Sequence, residues 1–195
     1  MIPALVVGGE AIPVLHVSQI AEALGLPPPA PGSALRDARD AAVVLEAWLG
    51  HLRCADWETL LRPTRSRGRS LRNLTVNVFH PFELLPDAWA TGRFDWRPEL
   101  DAELEHGVDD RASLAGMAEH ALAGWHSFLE AFEHELEHRD PPVSSPRGDV
   151  AFSALLSSQR WHAAYHYRQL VDTLEPEQRL DLARFDNLDL PSDLF

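Results

Sequence analysis

The chain has 195 residues, 45% hydrophobic and 24% charged, a globular composition that excludes disorder or low complexity through its bulk. Seventeen basic residues against thirty acidic ones give a net charge of −13, which argues against nucleic acid and anionic membrane as partners. Every basic residue is arginine, so Schiff-base lysines, Ser-Lys dyads and the P-loop lysine are excluded together.

The length suits one medium domain with a small appendage. No apolar run approaches the roughly 18 residues of a membrane span. The opening MIPALVVGGEAIPVLHV lacks a cationic start and is interrupted by Gly8, Gly9 and Glu10, so it does not read as a signal peptide. A single cysteine, Cys54, permits neither an internal disulfide nor a C-x-x-C pair and points to the cytoplasm. Cys54 itself reads as a small buried hydrophobe rather than a nucleophile.

In chain order, residues 1–32 read as a β-hairpin, a short helix and a linker. IPALVV and IPVLHV flank the turn signal Gly8-Gly9, Ser18 can cap a helix through Leu24, and GLPPPAPG breaks it. Residues 33–53 form a first long helix, with Ser33 as cap and Leu35, Ala42, Leu45, Leu49 and Leu52 at helical spacing. RPTRSRGRS at 62–70 is a basic, turn-rich connection. Ser70 opens a second helix through Trp89, ended by Gly92, in which Pro81 and Pro86 should kink or interrupt the run. Residues 93–112 are acidic and read as irregular. Ser113 starts a third helix that stops before Asp140-Pro141-Pro142, and a fourth runs from about Asp149 to Leu174. The tail 176–195 has no period and is expected to pack across the surface. The fold class is therefore all-α, an up-down-type four-helix bundle over 33–175 with a small N-terminal hairpin–helix appendage.

The chemistry rests with the ten histidines. In RWHAAYHYRQL, His162 and His166 are four apart, offset by about 40° on one helix face. They fall on the apolar stripe 152, 155/156, 159, 163, 170 and so point into the bundle. Buried imidazoles are either hydrogen-bonded to carbonyls or water, or they ligate a metal, and this spacing suits one divalent ion. His80, in NVFHPFE midway along the second helix, is the candidate third ligand, turned inward by the Pro81 kink. Three histidines with open positions make a catalytic rather than a structural site. Glu83 and Gln159, each one turn away, are candidates to orient a ring N–H, and Arg168 could meet an anionic substrate or pair with Asp172.

HELEH at 134–138 satisfies the zincin pattern H-E-x-x-H, with His134 and His138 as ligands and Glu135 as base. It sits off the 125-128-132-136 stripe in charged surroundings, so a solvated helix end is the competing reading. His120 and His126 border the stripe as core or supporting groups, and His16, His51 and His106 carry no constellation. There is no glycine-rich phosphate loop and no G-x-S-x-G.

One histidine midway in helix two and H-x-x-x-H followed by Y-R-Q-L in helix four resemble the DinB/YfiT-like metalloenzymes, over about residues 33–175. The resemblance implies that His80, His162 and His166 bind a divalent metal, zinc or alternatively nickel or iron. It implies a thiol-dependent transferase or isomerase, with a low-molecular-weight thiol as co-substrate. VVGGEAIPVLHVSQIAEALGLP is similar to the closing strands and helix of a glutaredoxin-like domain, without its front half or active-site cysteines. It reads as a structural remnant or a dimer element. RLDLARFDNLDLPSDLF resembles the closing segment of proteins that fuse such a domain to a DinB bundle. The expected function is metal-dependent S-transfer, isomerisation or hydrolysis of a small molecule by a cytoplasmic protein, with a homodimer expected. The alternatives are a non-catalytic metal- or ligand-binding bundle and the zinc protease.

Overall fold

A computed structural model describes residues 4–7, 10–13, 33–64, 68–146, 148–175 and 178–179. The chain divides into two units, Met1–Gly32 and Ser33–Phe195. In the first, β1 (Ala4–Val7) pairs antiparallel with β2 (Glu10–Pro13), in a register that sets Leu5 opposite Ile12 and Val6 opposite Ala11. The sequence-predicted hairpin is present. The short helix expected after Ser18 lies outside the described residues.

The second unit is an all-α bundle. Its long helices are α1 (Ala34–Cys54), α3 (Leu71–Thr91), α5 (Arg111–His138) and α6 (Phe152–Thr173), with the short α2 (Trp57–Leu61) and α4 (Pro98–His106) between them. α1 and α3 each pack on both α5 and α6, so the four close a ring around one core. Two caps are those predicted: the Ser33 hydroxyl accepts from Arg36 N and the Ser70 hydroxyl from Asn73 N. Gly92 ends α3 in the left-handed conformation at φ +71°, which glycine adopts without a Cβ clash.

Five expectations are corrected. α3 runs unbroken through Pro81 and Pro86. Each proline denies a donor to the carbonyl four residues earlier, but every residue from Leu74 to Phe82 is buried, and packing on all sides outweighs the two missing bonds. The acidic stretch 93–112 contains α4, opened by Pro98 at a first-turn position. α5 starts at Arg111 rather than Ser113. The Asp110 carboxylate accepts from Ser113 N, and the Ser113 hydroxyl is shared back with the Asp110 backbone as a reciprocal cap. Finally, β3 (Pro142–Ser145) and β4 (Gly148–Ala151) form a hairpin ahead of α6, which starts at Phe152 instead of Asp149. That hairpin is tied to the end of α3: Ser144 N donates to the Gly92 carbonyl at 2.9 Å, and Phe94 N to the Ser144 carbonyl at 2.8 Å. Cys54, expected to be buried, is exposed, because it ends α1 beside Arg53 on the solvent side.

The core is aromatic at its centre. Trp89 meets Phe152 at 4.9 Å between ring centroids, and Phe82 meets Trp125 edge-on at 5.1 Å. Both fully buried indoles find acceptors: Trp48 Nε1 donates to the Thr75 hydroxyl and Trp125 Nε1 to the Ala38 carbonyl, at 3.0 and 3.1 Å. Among the described residues, no helix is long and apolar enough to cross a membrane.

Candidate metal centre

One set of the bundle's buried polar groups, Asn77, His80, Asp101, His166 and Gln169, is drawn from α3, α4 and α6. α4 is held against α3 by residues one turn apart. Asp101 faces Asn77 and His80, while Glu105 accepts from Arg72 Nε and Asn73 Nδ2 at 2.9 and 2.5 Å. This i, i+4 pair of acids is what makes the acidic stretch a helix, since its charged face has polar partners on α3.

Asp101 is 3% exposed and takes three bonds. Its Oδ1 accepts His80 Nδ1–H at 2.7 Å and Trp96 Nε1–H at 3.0 Å, and its Oδ2 accepts Asn77 Nδ2–H at 2.6 Å. Asn77 passes the network on: its Oδ1 accepts His162 Nε2–H at 3.1 Å and an Arg69 guanidinium N–H at 3.2 Å. His162 lies edge-on to His166, ring centroids 4.6 Å apart. His166 Nδ1–H donates to Gln169 Oε1 at 2.7 Å, and the Gln169 amide donates onward to the Tyr165 hydroxyl at 3.4 Å. His80, Asn77, His166 and Gln169 are buried, and His162 is half-buried.

The three predicted histidines thus belong to one cluster, drawn from two helices 82 positions apart in sequence at their nearest (His80 and His162). The acceptors that hold their N–H groups are Asp101, Asn77 and Gln169 rather than Glu83 and Gln159. Gln159 is buried on α6, and Arg168 is half-buried on the same helix. Glu83 stands close enough to His80 and His120 to feel their charge, but burial dominates and raises its carboxyl above the ordinary 4.5. The signals for the missed partners were spacing: Asn77 precedes His80, and Gln169 follows His166, by three residues on one helix face. Asp101 carried no such signal, because its contact is tertiary.

By donor type the cluster is of the kind that divalent metals take, but its three ring nitrogens do not all lie within 4.8 Å of one another. Each ring is oriented by a bond from one of its nitrogens to an oxygen, His80 to Asp101, His162 to Asn77 and His166 to Gln169. His80–Asp101 is the carboxylate–histidine pairing that orients metal-ligating imidazoles. The nitrogens of the three rings do not gather as tightly as the ligand atoms of a second group. Among the described residues, His134, Glu137 and His138 are the set whose candidate ligand atoms all lie within 4.8 Å of one another. That group is exposed on the last turns of α5, and His138 Nδ1–H is tied to the His134 carbonyl at 2.8 Å.

The other histidines lie elsewhere. His126 is exposed and meets Glu46 at 3.1 Å, His120 is exposed, and the exposed His106 bonds the Ala102 carbonyl of its own helix, so none of them is a core group. His51, by contrast, is buried. The Tyr167 hydroxyl donates to its Nε2 at 3.0 Å, its Nδ1–H donates to the Gln178 carbonyl at 3.2 Å, and burial holds its pKa below the ordinary 6.5. His16 lies outside the described residues. Comparison with protein-family models, with curated proteins and with solved structures gives no match.

Proposed function

We propose that His80, His162 and His166 hold a divalent metal, zinc or alternatively nickel or iron, and that the loaded protein is an enzyme acting on a small molecule by S-transfer, isomerisation or hydrolysis. The observation that carries this reading is the set of fixed tautomers. Asp101, Asn77 and Gln169 each take one ring N–H, which orients three imidazoles within a single cluster. When bound, such a cation supplies Lewis acidity that lowers the pKa of a water or of a low-molecular-weight thiol. The chain's own residues do the rest. Asp101 fixes the His80 ring through its Nδ1 proton, and Asn77 couples that carboxylate to His162. Trp96, donating to Asp101 and lying 6.3 Å from the His162 ring, screens the polar cluster on its α4 side. Glu83 stands one turn from His80, and burial raises its carboxyl above the ordinary value.

A cytoplasmic location and a homodimer belong to the same reading. The depth of His80 and His166, 6% and 4% exposed, favours a second reading, a non-catalytic bundle that uses the metal or a small ligand for stability. The zinc-protease reading at His134 and His138 has less support, because its groups stand on an exposed helix end.

Metal analysis of the purified protein tests the proposal. His166→Ala and His80→Ala should abolish the bound ion, while the double variant His134→Ala/His138→Ala should retain it. Loss confined to the double variant would overturn the assignment. A panel of low-molecular-weight thiols, assayed for turnover and for thermal shift, then separates an enzyme from a structural site.

A further inference from the structure

The basic connection 62–70 is a sequence feature that the metal centre does not absorb. It ends beside the histidine cluster. Gly68 turns the chain at φ +65°, Pro63 bridges to Ser70, and Thr64 N donates to the Arg69 carbonyl at 2.7 Å. These contacts deliver Arg69, half-buried, to the start of α3. One of its guanidinium N–H groups donates to Asn77 Oδ1, the same oxygen that takes the His162 ring proton.

Arg69 has no carboxylate partner among the described residues, in a chain where acids outnumber bases thirty to seventeen. Its neighbours behave differently: Arg62 pairs with Glu175 and Arg72 with Glu105. The nearby Asp101 does not neutralise it either, because Asn77 stands between them, its oxygen towards the guanidinium and its amide N–H towards the carboxylate. A guanidinium carries five donors in a planar fork that matches a carboxylate through two parallel bonds. One of the five donates to Asn77, and the oxygen that accepts it is shared with His162 Nε2, which sets the guanidinium beside the cluster.

We infer that Arg69 makes the histidine site selective for small ligands that carry a carboxylate, a mercaptocarboxylic acid being the simplest that also offers a thiol. The inference rests on the metal reading above and deepens it by naming the substrate class. The ligand's carboxylate docks on Arg69, and Asn77 registers that group against His162. No bond is made or broken in this step, only recognised charge.

The test uses the full chain in the His134→Ala/His138→Ala background, loaded with Co(II), whose visible absorption reports its ligands. The probes are 3-mercaptopropionate and its neutral isostere 3-mercaptopropionamide. The acid should bind about tenfold more tightly than the amide, the size of one charge-assisted contact of about 1.4 kcal/mol. Arg69→Gln should bring the two within about threefold by weakening the acid alone, while Arg69→Lys keeps part of the preference. A preference below about threefold in the parent protein, or one that survives Arg69→Gln, overturns the inference. If Arg69→Gln cannot hold cobalt, salt decides: raised ionic strength must narrow the gap, and a gap indifferent to salt is equally fatal. A cobalt spectrum unchanged by His166→Ala places the ion elsewhere and overturns both readings, an outcome distinct from cobalt bound without acid preference.

Discussion

Replacing Asp101 by alanine removes the acceptor of three donors at once. His80 Nδ1–H at 2.7 Å and Asn77 Nδ2–H at 2.6 Å are both buried, and Trp96 Nε1–H at 3.0 Å is half-buried. An orphaned buried donor costs about 1–3 kcal/mol, and water can partly repair the Trp96 bond, so the sum is roughly 3–5 kcal/mol. For a domain of this size that corresponds to a fall in Tm of about 6–20 °C. Asp101→Asn is the discriminating control. Its carbonyl still serves His80 and Trp96, but its new NH2 opposes the Asn77 amide. Asn77 cannot flip to accommodate it without leaving His162 and Arg69 unserved, so one contact is lost, at about 1–3 kcal/mol. Both variants should also lower metal affinity by about 10–100-fold through the loosened His80 ring. Urea unfolding and competition with a chelator measure the two effects separately. An Asp101→Ala protein within about 1 kcal/mol of the parent, or one binding metal equally well, would refute the argument that this carboxylate organises the site.

Trp125→Ala empties the centre of the aromatic core and should cost about 3–5 kcal/mol in urea unfolding; a loss under about 2 would contradict the packing described. Gly92→Ala forces a Cβ onto a left-handed residue, 3.4 Å from the Pro142 carbonyl, and should destabilise by about 1–2 kcal/mol in thermal melts, whereas the exposed, helical Gly116→Ala should be neutral or stabilising. His51 is held below its ordinary pKa by burial, so the unfolded chain takes up its proton first. Its contribution is therefore complete above about pH 6.5 and drains as the pH falls from there towards the lower folded value. Urea midpoints at pH 7.5 and 5.5 should differ more for the parent than for His51→Gln, and equal slopes would remove His51 as the cause.

The four long helices and their caps were legible in the chain because local rules decide them. Apolar residues recur at helical spacing, Ser33 and Ser70 sit one position before a helix, and Gly92 sits one after. The inward face of α6, and with it His166, followed from the same periodicity, since the residues at 152, 155, 156, 159, 163 and 170 are all buried as their spacing required. The candidate ligands could be named for that reason, whereas the groups that hold them could not. Asp101 lay in the acidic stretch 93–112, which read as irregular. It becomes a helix only because Asp101 and Glu105 meet Asn77, His80, Arg72 and Asn73 across the α3–α4 boundary. The same holds for Pro81 and Pro86, which local rules set against a helix and the burial of Leu74–Phe82 retains within one. Periodicity is a property of neighbours in sequence and therefore survives in the chain alone. Which carboxylate satisfies which imidazole is a property of neighbours in space, settled only when α4 closes over α3.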